Sequence, residues 1–375
     1  MDSSSSANSV PTPSGPACSV LVDDPAILDR ALVAGSVNWE QVRGEWALLC
    51  VPSLVPTYVE RVLRLAQALG HPFKPEELPQ LKELFRTKAQ AGYEKSPYSR
   101  LLVRYGSATP PEKGLLWQLN IVVVSPLDQA QQFVSARPPE EFEAFPDAMV
   151  MDVATSLAET GTEKGGAQRS LSILDIGGGT GRNALALKSF GHKVTVLDSN
   201  GVMLDALYRR LAQLPTPNGV KVIEGSVLDD RILLPKNNFD YVILTGVLPY
   251  FSSLEELQQV FERVAIALKS GGQVLLDAFV ASDGYEPTQL AQEMGRISDA
   301  MMFTPSMLDA AIAGTALTLV ADADAWTYEM DHLSPKAKEA RQWLESWALA
   351  QRIFALPVGQ RPPISLRWLR YQKAA

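Results

Sequence analysis

The sequence predicts an α/β fold: a doubly wound, mostly parallel sheet with helices on both faces. Three observations lead there. Between about residues 170 and 280, short apolar runs alternate with helix-like stretches: SLSILDI (170–176), KVTVLD (193–198), GVKVIEG (219–225), FDYVILT (239–245) and GQVLLDAFV (272–280). Strands alternating with helices require right-handed crossovers, and those produce parallel pairing. The first run leads directly into GGGTG (177–181), and glycines are this dense where the backbone must turn tightly or something must lie against it. Finally, 375 residues at 46% hydrophobic and 20% charged supply core enough for two folding units, or one with large additions.

Taken in order, residues 1–19 are rich in Ser, Pro and small side chains and cannot bury enough surface to order themselves, so a flexible tail is expected. Residues 20–150 form an accessory region, mixed but mainly helical, suited to substrate recognition or dimerisation. Its pattern is helical from about Val20 to Leu69: in VPTYVERVLRLAQALG, Val59, Val62, Leu63, Ala66 and Leu69 recur near a 3.6 period, and Gly70 is the stop. After three prolines, PQLKELFRTKAQAGY reads as a second amphipathic helix ending near Gly92, and LLWQLNIVVVSP (115–126) as a strand. RPPEEFEAFPD reads as a connection, AMVMDVATSLAETG as a helix and GTEKGGAQ as the loop before the main α/β region, 151–375. There, helices start near Arg182, Gly201 and Leu254, and a helical insertion spans about 326–360.

The formal charge of −8 argues against a nucleic-acid surface, which needs a local excess of Lys and Arg. Residues 333–375 do carry eight Lys or Arg against Glu339 and Glu345. This is a solvated helix face, or else a surface for an acidic partner. Two cysteines, Cys18 and Cys50, make no disulfide framework, and no His, Cys, Asp or Glu spacing fits a metal. No apolar run is long enough to cross a membrane, and the N-terminus lacks the basic start and apolar core of a secretory signal. A cytoplasmic protein is expected.

The glycine loop admits three tests. A phosphate-cradling P-loop needs Lys and then Ser or Thr after its glycines, but Gly181 is followed by Arg182 and Asn183. A dinucleotide fingerprint counted from Gly177 finds Gly179 at the third position but Arg182 at the sixth. The spacing present is Asp175-x-Gly177-x-Gly179-x-Gly181 after a strand.

That D-x-G-x-G-x-G pattern resembles motif I of the class I, Rossmann-like S-adenosylmethionine-dependent methyltransferases. The resemblance implies a seven-stranded sheet, S-adenosyl-L-methionine as cofactor and S-adenosyl-L-homocysteine as its product. It covers about 170–325 and the last ten residues. FTPSMLDAAIAGTALTLVADA would supply the penultimate helix and strand, and SLRWLRYQK a final antiparallel strand. LKSGGQVLLDAF resembles the family's helix end leading into the fifth strand. Asp175, Gly177, Gly179 and Gly181 would lie against the methionine and ribose portions of the cofactor. Asp198, at the end of the second strand, corresponds to the acid that accepts both ribose hydroxyls, followed by Ser199. Its alternative role is a helix N-cap. Met203 would pack beside adenine, or simply fill the core. In EGSVLDD, Ser226 stands where many members have Asp, leaving Ser226 and the backbone of Val227 for the adenine amino group.

The fourth strand, with Asp240 near its start, leads into Thr245, Gly246, Leu248, Pro249 and Tyr250, resembling motif IV, which lines the passage to the acceptor. Members acting on amides carry N/D-P-P-Y/F there, whereas this chain has Val247-Leu248-Pro249-Tyr250, closer to members acting on small metabolites. Candidates for assisting the chemistry are Tyr250, Asp277 and Tyr285, with Asp283 beside them. Tyr250 reads alternatively as a wall of the passage and Asp277 as a structural acceptor. His71 and His192 carry little weight, and His332 sits in the insertion as a possible lid base. The expected activity is methyl transfer to an O or N nucleophile of a small molecule. A protein substrate docking on the N-terminal region, or a non-catalytic cofactor-binding protein, are the alternatives, and a homodimer is compatible with either enzyme.

Overall fold

The computed structural model describes residues 43–68, 71–107, 115–136, 145–160, 169–215, 219–251, 253–354, 356–357 and 359–374. The expected tail at 1–19, the helical pattern at 20–42, Cys18 and the loop at 161–168 lie outside the described residues.

The N-terminal part is a three-stranded antiparallel sheet carrying two helices. β1 (Arg43–Leu49) pairs with β2 (Arg100–Ser107), and β2 with β3 (Leu115–Val122). α1 (Val55–Ala68) and α2 (Leu78–Lys95) cross between β1 and β2, and α3 (Pro126–Ala136) follows β3. The helical reading of 20–69 therefore fails at Arg43–Leu49. RGEWALL alternates along its length, with Glu45 and Ala47 less covered than the residues that follow, and a seven-residue stretch is too short for periodicity to tell strand from helix turn. β2 and α3 went unread for the same reason. A core of Val59, Val62, Phe85, Leu101, Val103 and Leu119 is buried between the sheet and α1–α2.

The remaining chain forms the predicted α/β layer structure. α4 (Ala148–Glu159) precedes β4 (Ser172–Ile176), α5 (Arg182–Ser189), β5 (Lys193–Asp198), α6 (Gly201–Ala212), β6 (Val220–Glu224) and β7 (Phe239–Leu244). Then come α7 (Leu254–Ala267), β8 (Leu268–Ala281), α8 (Gln289–Ile297), β9 (Met302–Phe303), α9 (Pro305–Ile312) and β10 (Leu317–Asp324). α10 (Ala325–His332), α11 (Pro335–Ala340) and α12 (Gln342–Ala348) lead to β11 (Ile364–Lys373). The strand order is β10-β11-β8-β7-β4-β5-β6, with the two-residue β9 pairing off this path onto β8. Seven strands thus form the continuous sheet and β9 makes an eighth. β11 runs antiparallel to both β8 and β10, as expected for the last strand. LKSG, read as a helix end, is already strand, because α7 stops at Ala267. Lys269 there reaches Asp240 at 2.9 Å, and Asp240 also accepts from Ser172 N at 2.8 Å, which ties the amino ends of β4, β7 and β8 together.

The sheet is covered on both faces, and strand alternation decides what each face holds. Leu174, Ile176, Val242, Leu244, Val274 and Leu276 pack under α7 and α9. Ile173, Tyr241, Ile243, Leu275 and Phe279 pack on the opposite face, under α4, α5, α6 and the α10–α12 insertion. With its period of two, that second face also receives Asp175 of β4 and Asp277 of β8, both buried.

A buried charged network closes that face. Arg341, between α11 and α12, is 2% exposed and Asp147, the residue before α4, 4%. Arg341 Nη1 donates to Asp147 Oδ1 at 2.8 Å and to Glu329 Oε2 of α10 at 3.2 Å, while Nη2 donates to Phe145 O at 2.7 Å. Arg182 Nη2 and Asn183 Nδ2 both donate to Asp147 Oδ2 at 2.8 Å. Glu329 in turn accepts the first amides of α4, Ala148 N at 2.9 Å and Met149 N at 3.2 Å. Burial alone would raise the Asp147 pKa, but the facing guanidiniums of Arg182 and Arg341 hold it below its ordinary value.

Removing one member of such a set leaves a buried charge uncompensated, at a cost of ~3–5 kcal/mol. Arg341→Met is therefore expected to lower the urea midpoint by that free energy, and combining it with Asp147→Asn and Glu329→Gln to recover a substantial part. A midpoint within ~0.5 kcal/mol of the parent, the range of ordinary surface substitutions, would show that the network contributes little.

Candidate functional site

Strand order reverses at β4, whose neighbours are β5 on one side and β7 on the other. Ligands in open parallel sheets collect outside the carboxyl ends of strands at such a point. The carboxyl ends of β4, β5 and β7 carry, respectively, the glycine loop, Asp198 and the Thr245–Tyr250 segment.

Three of the loop glycines are left-handed: Gly177 at φ 70°, Gly179 at 52° and Gly181 at 87°. They are the three glycines of the sequence pattern, and Gly178, outside it, is not among them. Glycine is needed here first for conformation. Packing adds to this at two positions, since a Cβ on Gly177 would meet Val247 Cγ2 at 2.3 Å and one on Gly181 would meet Leu207 Cδ1 at 2.5 Å. A Cβ on Gly179 would meet only the backbone oxygen of Gly177, at 3.9 Å, so the crest of the loop is open. Arg210 of α6 donates to Thr180 O at 2.8 Å and braces the loop from behind.

Asp198 ties the loop to the next element. Its Oδ2 accepts Gly179 N and its Oδ1 accepts Asn200 N, each at 2.8 Å. The cap of α6 is Asn200, whose Oδ1 accepts Val202 N at 3.1 Å and Met203 N at 3.4 Å, so the N-cap reading of Asp198 fails. A carboxylate has about four acceptor sites, and the Gly179, Asn200 and Ser199 amides take up three of those of Asp198. Partial burial raises its pKa, opposed by the Asn200, Gly179 and Ser199 amides. Ser199 is exposed and Met203 half-buried, at the mouth of α6.

Other expected positions fall elsewhere. Asp175 is 2% exposed, on the α4–α5 face beneath the loop, its Oδ2 3.0 Å from where a Gly178 Cβ would be. It supports the loop from below instead of lining its open side. The Val227 side chain is buried in the core under α7, and the Ser226 hydroxyl accepts Leu228 N at 3.1 Å, shaping the turn after β6. Thr245 Oγ1 accepts from Asn183 Nδ2 at 3.2 Å. Asp277 Oδ1 accepts Gly246 N at 2.7 Å, which fixes the start of the Thr245–Tyr250 loop. Full burial pushes Asp277 up to about 7, eased by that amide and by Arg182 and reinforced by Asp147. Its structural-acceptor reading is thus the one with a visible bond.

Tyr250 ends a short 3-10 turn, Leu248–Tyr250. Tyr250 is 62% exposed. Desolvation, with the charges of Asp299 and Asp198, holds the phenol above its ordinary range. Such a phenol is protonated at neutral pH and offers a hydrogen-bond donor. Tyr285 packs edge-on against Phe354 at 6.2 Å in the insertion, while Asp283 is exposed. His192 is buried at the opposite, amino end of β5, where its Nδ1 accepts Leu171 N at 3.3 Å and burial lowers its pKa. His332 stacks on Tyr328 at 4.0 Å on the outside of α10, and His71 is exposed beside α1.

Sequence reading missed the contribution of the N-terminal part. Its core receives Met294 and Ile297 of α8, Ser53 N donates to Glu293 Oε2 at 3.1 Å, and Arg296 lies over the Tyr93 ring at 5.1 Å. Tyr98 hydrogen-bonds Asp299, the residue two beyond α8. Nothing in the spacing of Tyr98 or Asp299 marks them, because 201 residues separate the pair.

Among the described residues no group of three or more His, Cys, Asp or Glu is placed to hold a metal, and no helix is long and apolar enough to cross a membrane.

Comparison with known proteins places this geometry in context. A family model described as a methyltransferase domain matches residues 173–272. No curated protein sequence matches the chain. Among solved structures, the chain is similar to geranyl diphosphate C-methyltransferase from Streptomyces coelicolor A3(2), at 16% identity and a TM-score of 0.43, over 60% of this chain and 79% of that one. It is also similar to Haemonchus contortus phosphoethanolamine N-methyltransferase 2, at 14% identity and a TM-score of 0.48, over 70% and 63%. A third is a putative sarcosine dimethylglycine methyltransferase from Galdieria sulphuraria, at 16% and 0.43, over 68% and 92%.

Gly181→Ala should cost about 1–2 kcal/mol for the left-handed backbone alone, beyond its overlap with Leu207, as read by thermal or urea unfolding. Asp277→Asn keeps an acceptor for Gly246 N but removes the titration. The Asp277 pKa lies above its unfolded value, so the native state keeps a proton that the unfolded state sheds, and this group lowers stability as pH rises from about 4 to about 7. The substitution should therefore make the stability–pH slope over that window less negative and raise stability at pH 8. An unchanged slope would place Asp277 in a more solvated setting.

Proposed function

The α/β core is a class I, Rossmann-like methyltransferase domain, and from that premise we propose that the chain moves a methyl group from S-adenosyl-L-methionine to an O or N nucleophile of a small molecule. The observation that carries this reading is the three-glycine left-handed loop with Asp198 bridging from Gly179 to the entrance of α6. The residues fit the cofactor. The open crest at Gly179 admits close approach, Asp198 keeps acceptor capacity beyond its three backbone amides for a ribose hydroxyl, and the half-buried Met203 offers a soft surface to a planar base. When bound, the cofactor supplies an electrophilic methyl on sulfur, so the difficult chemistry is its own and the protein's work is orientation and exclusion of water.

The chain's residues divide that work. Asp277 holds Gly246 and thereby the Thr245–Tyr250 loop, which forms the wall between cofactor and acceptor. Tyr250 stays a neutral phenol and donates a hydrogen bond toward the acceptor side. Val247-Leu248-Pro249-Tyr250 lacks the side chain and second proline that orient a planar amide, which supports a small-molecule acceptor over a protein amide.

Two measurements test the reading. Titration calorimetry with S-adenosyl-L-homocysteine should show binding that Asp198→Asn weakens by about tenfold or more, the loss of charged hydrogen bonds worth about 1.5–3 kcal/mol; unchanged affinity would defeat the ribose assignment. Incubating the protein and tritium-methyl S-adenosyl-L-methionine with size-fractionated cell extract should label small molecules. Label confined to a protein band would transfer the acceptor to that class, and cofactor binding without any transfer would mean a non-catalytic role.

A further inference from the structure

The recess above the carboxyl ends of the strands holds a carboxylate with no assigned task. Asp299 follows α8 with φ 52°, a left-handed conformation that Asp and Asn tolerate better than most residues and that persists only where surroundings enforce it. Two parts of the chain do so. Tyr98, from the segment before β2, donates its hydroxyl to Asp299 Oδ1, and Trp347 of α12 donates Nε1 to the Asp299 carbonyl at 2.8 Å. Among the described residues Oδ2 has no hydrogen-bond partner, and Asp299 is half-buried. Facing it is Tyr250, whose hydroxyl is likewise without a partner among the described residues and whose turn touches α8. The charges of Asp299 and Asp198 both reach Tyr250, so the tyrosine lies within electrostatic reach of the carboxylate assigned to the cofactor and of this second one.

We propose that Asp299, oriented by Tyr98 and opposed by Tyr250, is the acceptor-binding subsite, and that it takes the amino group of a compact amine. The proposal rests on the methyltransferase reading and narrows its acceptor. The chemistry of the recess selects the class. Two carboxylates lie within electrostatic reach of Tyr250, and among the described residues the cation whose charge reaches Asp299, Arg352, is exposed and makes no hydrogen bond to it. Arg296 is engaged over the Tyr93 ring. A carboxylate or phosphate acceptor would meet like charge in a poorly screened setting, whereas an N–H donor satisfies Oδ2 with a charge-assisted bond, stronger than a neutral hydroxyl offers. Tyr98 makes the N-terminal part a component of the acceptor site. It sits on the same carboxylate as the acceptor, so its hydroxyl fixes where Oδ2 points.

The test uses the full chain saturated with S-adenosyl-L-homocysteine, following tryptophan fluorescence, which Trp347 reports from the Asp299 carbonyl. Propylamine, propanol and propionate serve as matched probes. Propylamine should quench saturably and bind at least about tenfold tighter than either of the others, the equivalent of one charged hydrogen bond. Asp299→Asn keeps the shape, the Tyr98 bond and an αL-tolerant residue. It should abolish that preference while leaving S-adenosyl-L-homocysteine affinity within about twofold. Tyr98→Phe should weaken propylamine by a smaller factor without changing the order of the probes. Equal binding of the three probes, or a preference that survives Asp299→Asn, overturns the proposal. So does an Asp299→Asn variant whose only change is a lower melting temperature, which would make Asp299 a strut between the two parts. Failure of the parent chain to bind S-adenosyl-L-homocysteine would instead refute the underlying methyltransferase reading.

Discussion

The ion pair between Arg341 and Asp147 is the constraint on which the rest of this structure depends. Both side chains are out of water, and neither is tolerable there alone. Asp147 stands at the start of α4, Arg341 between two helices of the C-terminal insertion, and Glu329 closes the set from α10. Because the same aspartate accepts from Arg182 and Asn183, the network runs into the helix that begins at the glycine loop. The insertion, the helix before the sheet and the cofactor loop are therefore fixed against one another through one buried carboxylate. Asp277, close enough to feel Asp147 and Arg182, extends the same electrostatic environment to Gly246 and the wall of the acceptor passage.

This arrangement separates two kinds of acid. Asp175 and Asp277 lie on the covered face, where alternation along β4 and β8 puts them, and Asp147 joins them from the start of α4; Asp147 holds the Arg182 and Arg341 guanidiniums and Asp277 the Gly246 amide. Asp198 and Asp299 lie outside the packed faces, the first accepting the Gly179 and Asn200 amides and the second the Tyr98 hydroxyl, and on the proposed reading both also meet a ligand. The division follows from strand geometry. Asp175 and Asp277 sit within strands and point to a packed face, whereas Asp198 is the last residue of β5 and Asp299 follows α8.

The N-terminal part also changes meaning once its position is known. Its sheet and helices bury their own core, but that core is completed by α8 of the larger sheet, and Tyr98 is delivered to the recess. An accessory region that a sequence reading assigns to dimerisation or docking is, on the proposed reading, a wall of the acceptor site.

Residues with local signatures were legible in the sequence. KVTVLD matches β5 residue for residue, and the three glycines at spacing two are the three left-handed residues, because glycine alone adopts that backbone without cost. Asp198 was singled out by its resemblance to the family's acid at the end of the second strand; the capping role the sequence offered it as an alternative belongs to Asn200. What the sequence left open depends on which face a side chain meets. Asp175 and Asp277 each sit within apolar runs, and only the pairing of β4, β7, β8 and β11 shows them turned toward α4 and the insertion. What it missed altogether depends on long-range proximity. Arg341 and Asp147 are 194 residues apart, Tyr98 and Asp299 201, and no periodicity or motif links residues whose sole relation is a shared desolvated space. The sequence by itself determined the layered α/β core and the cofactor loop, since backbone conformation and hydrophobic period are written locally. The tertiary structure alone decided the buried network and the composition of the acceptor recess, since charges find their partners across the fold and not along the chain.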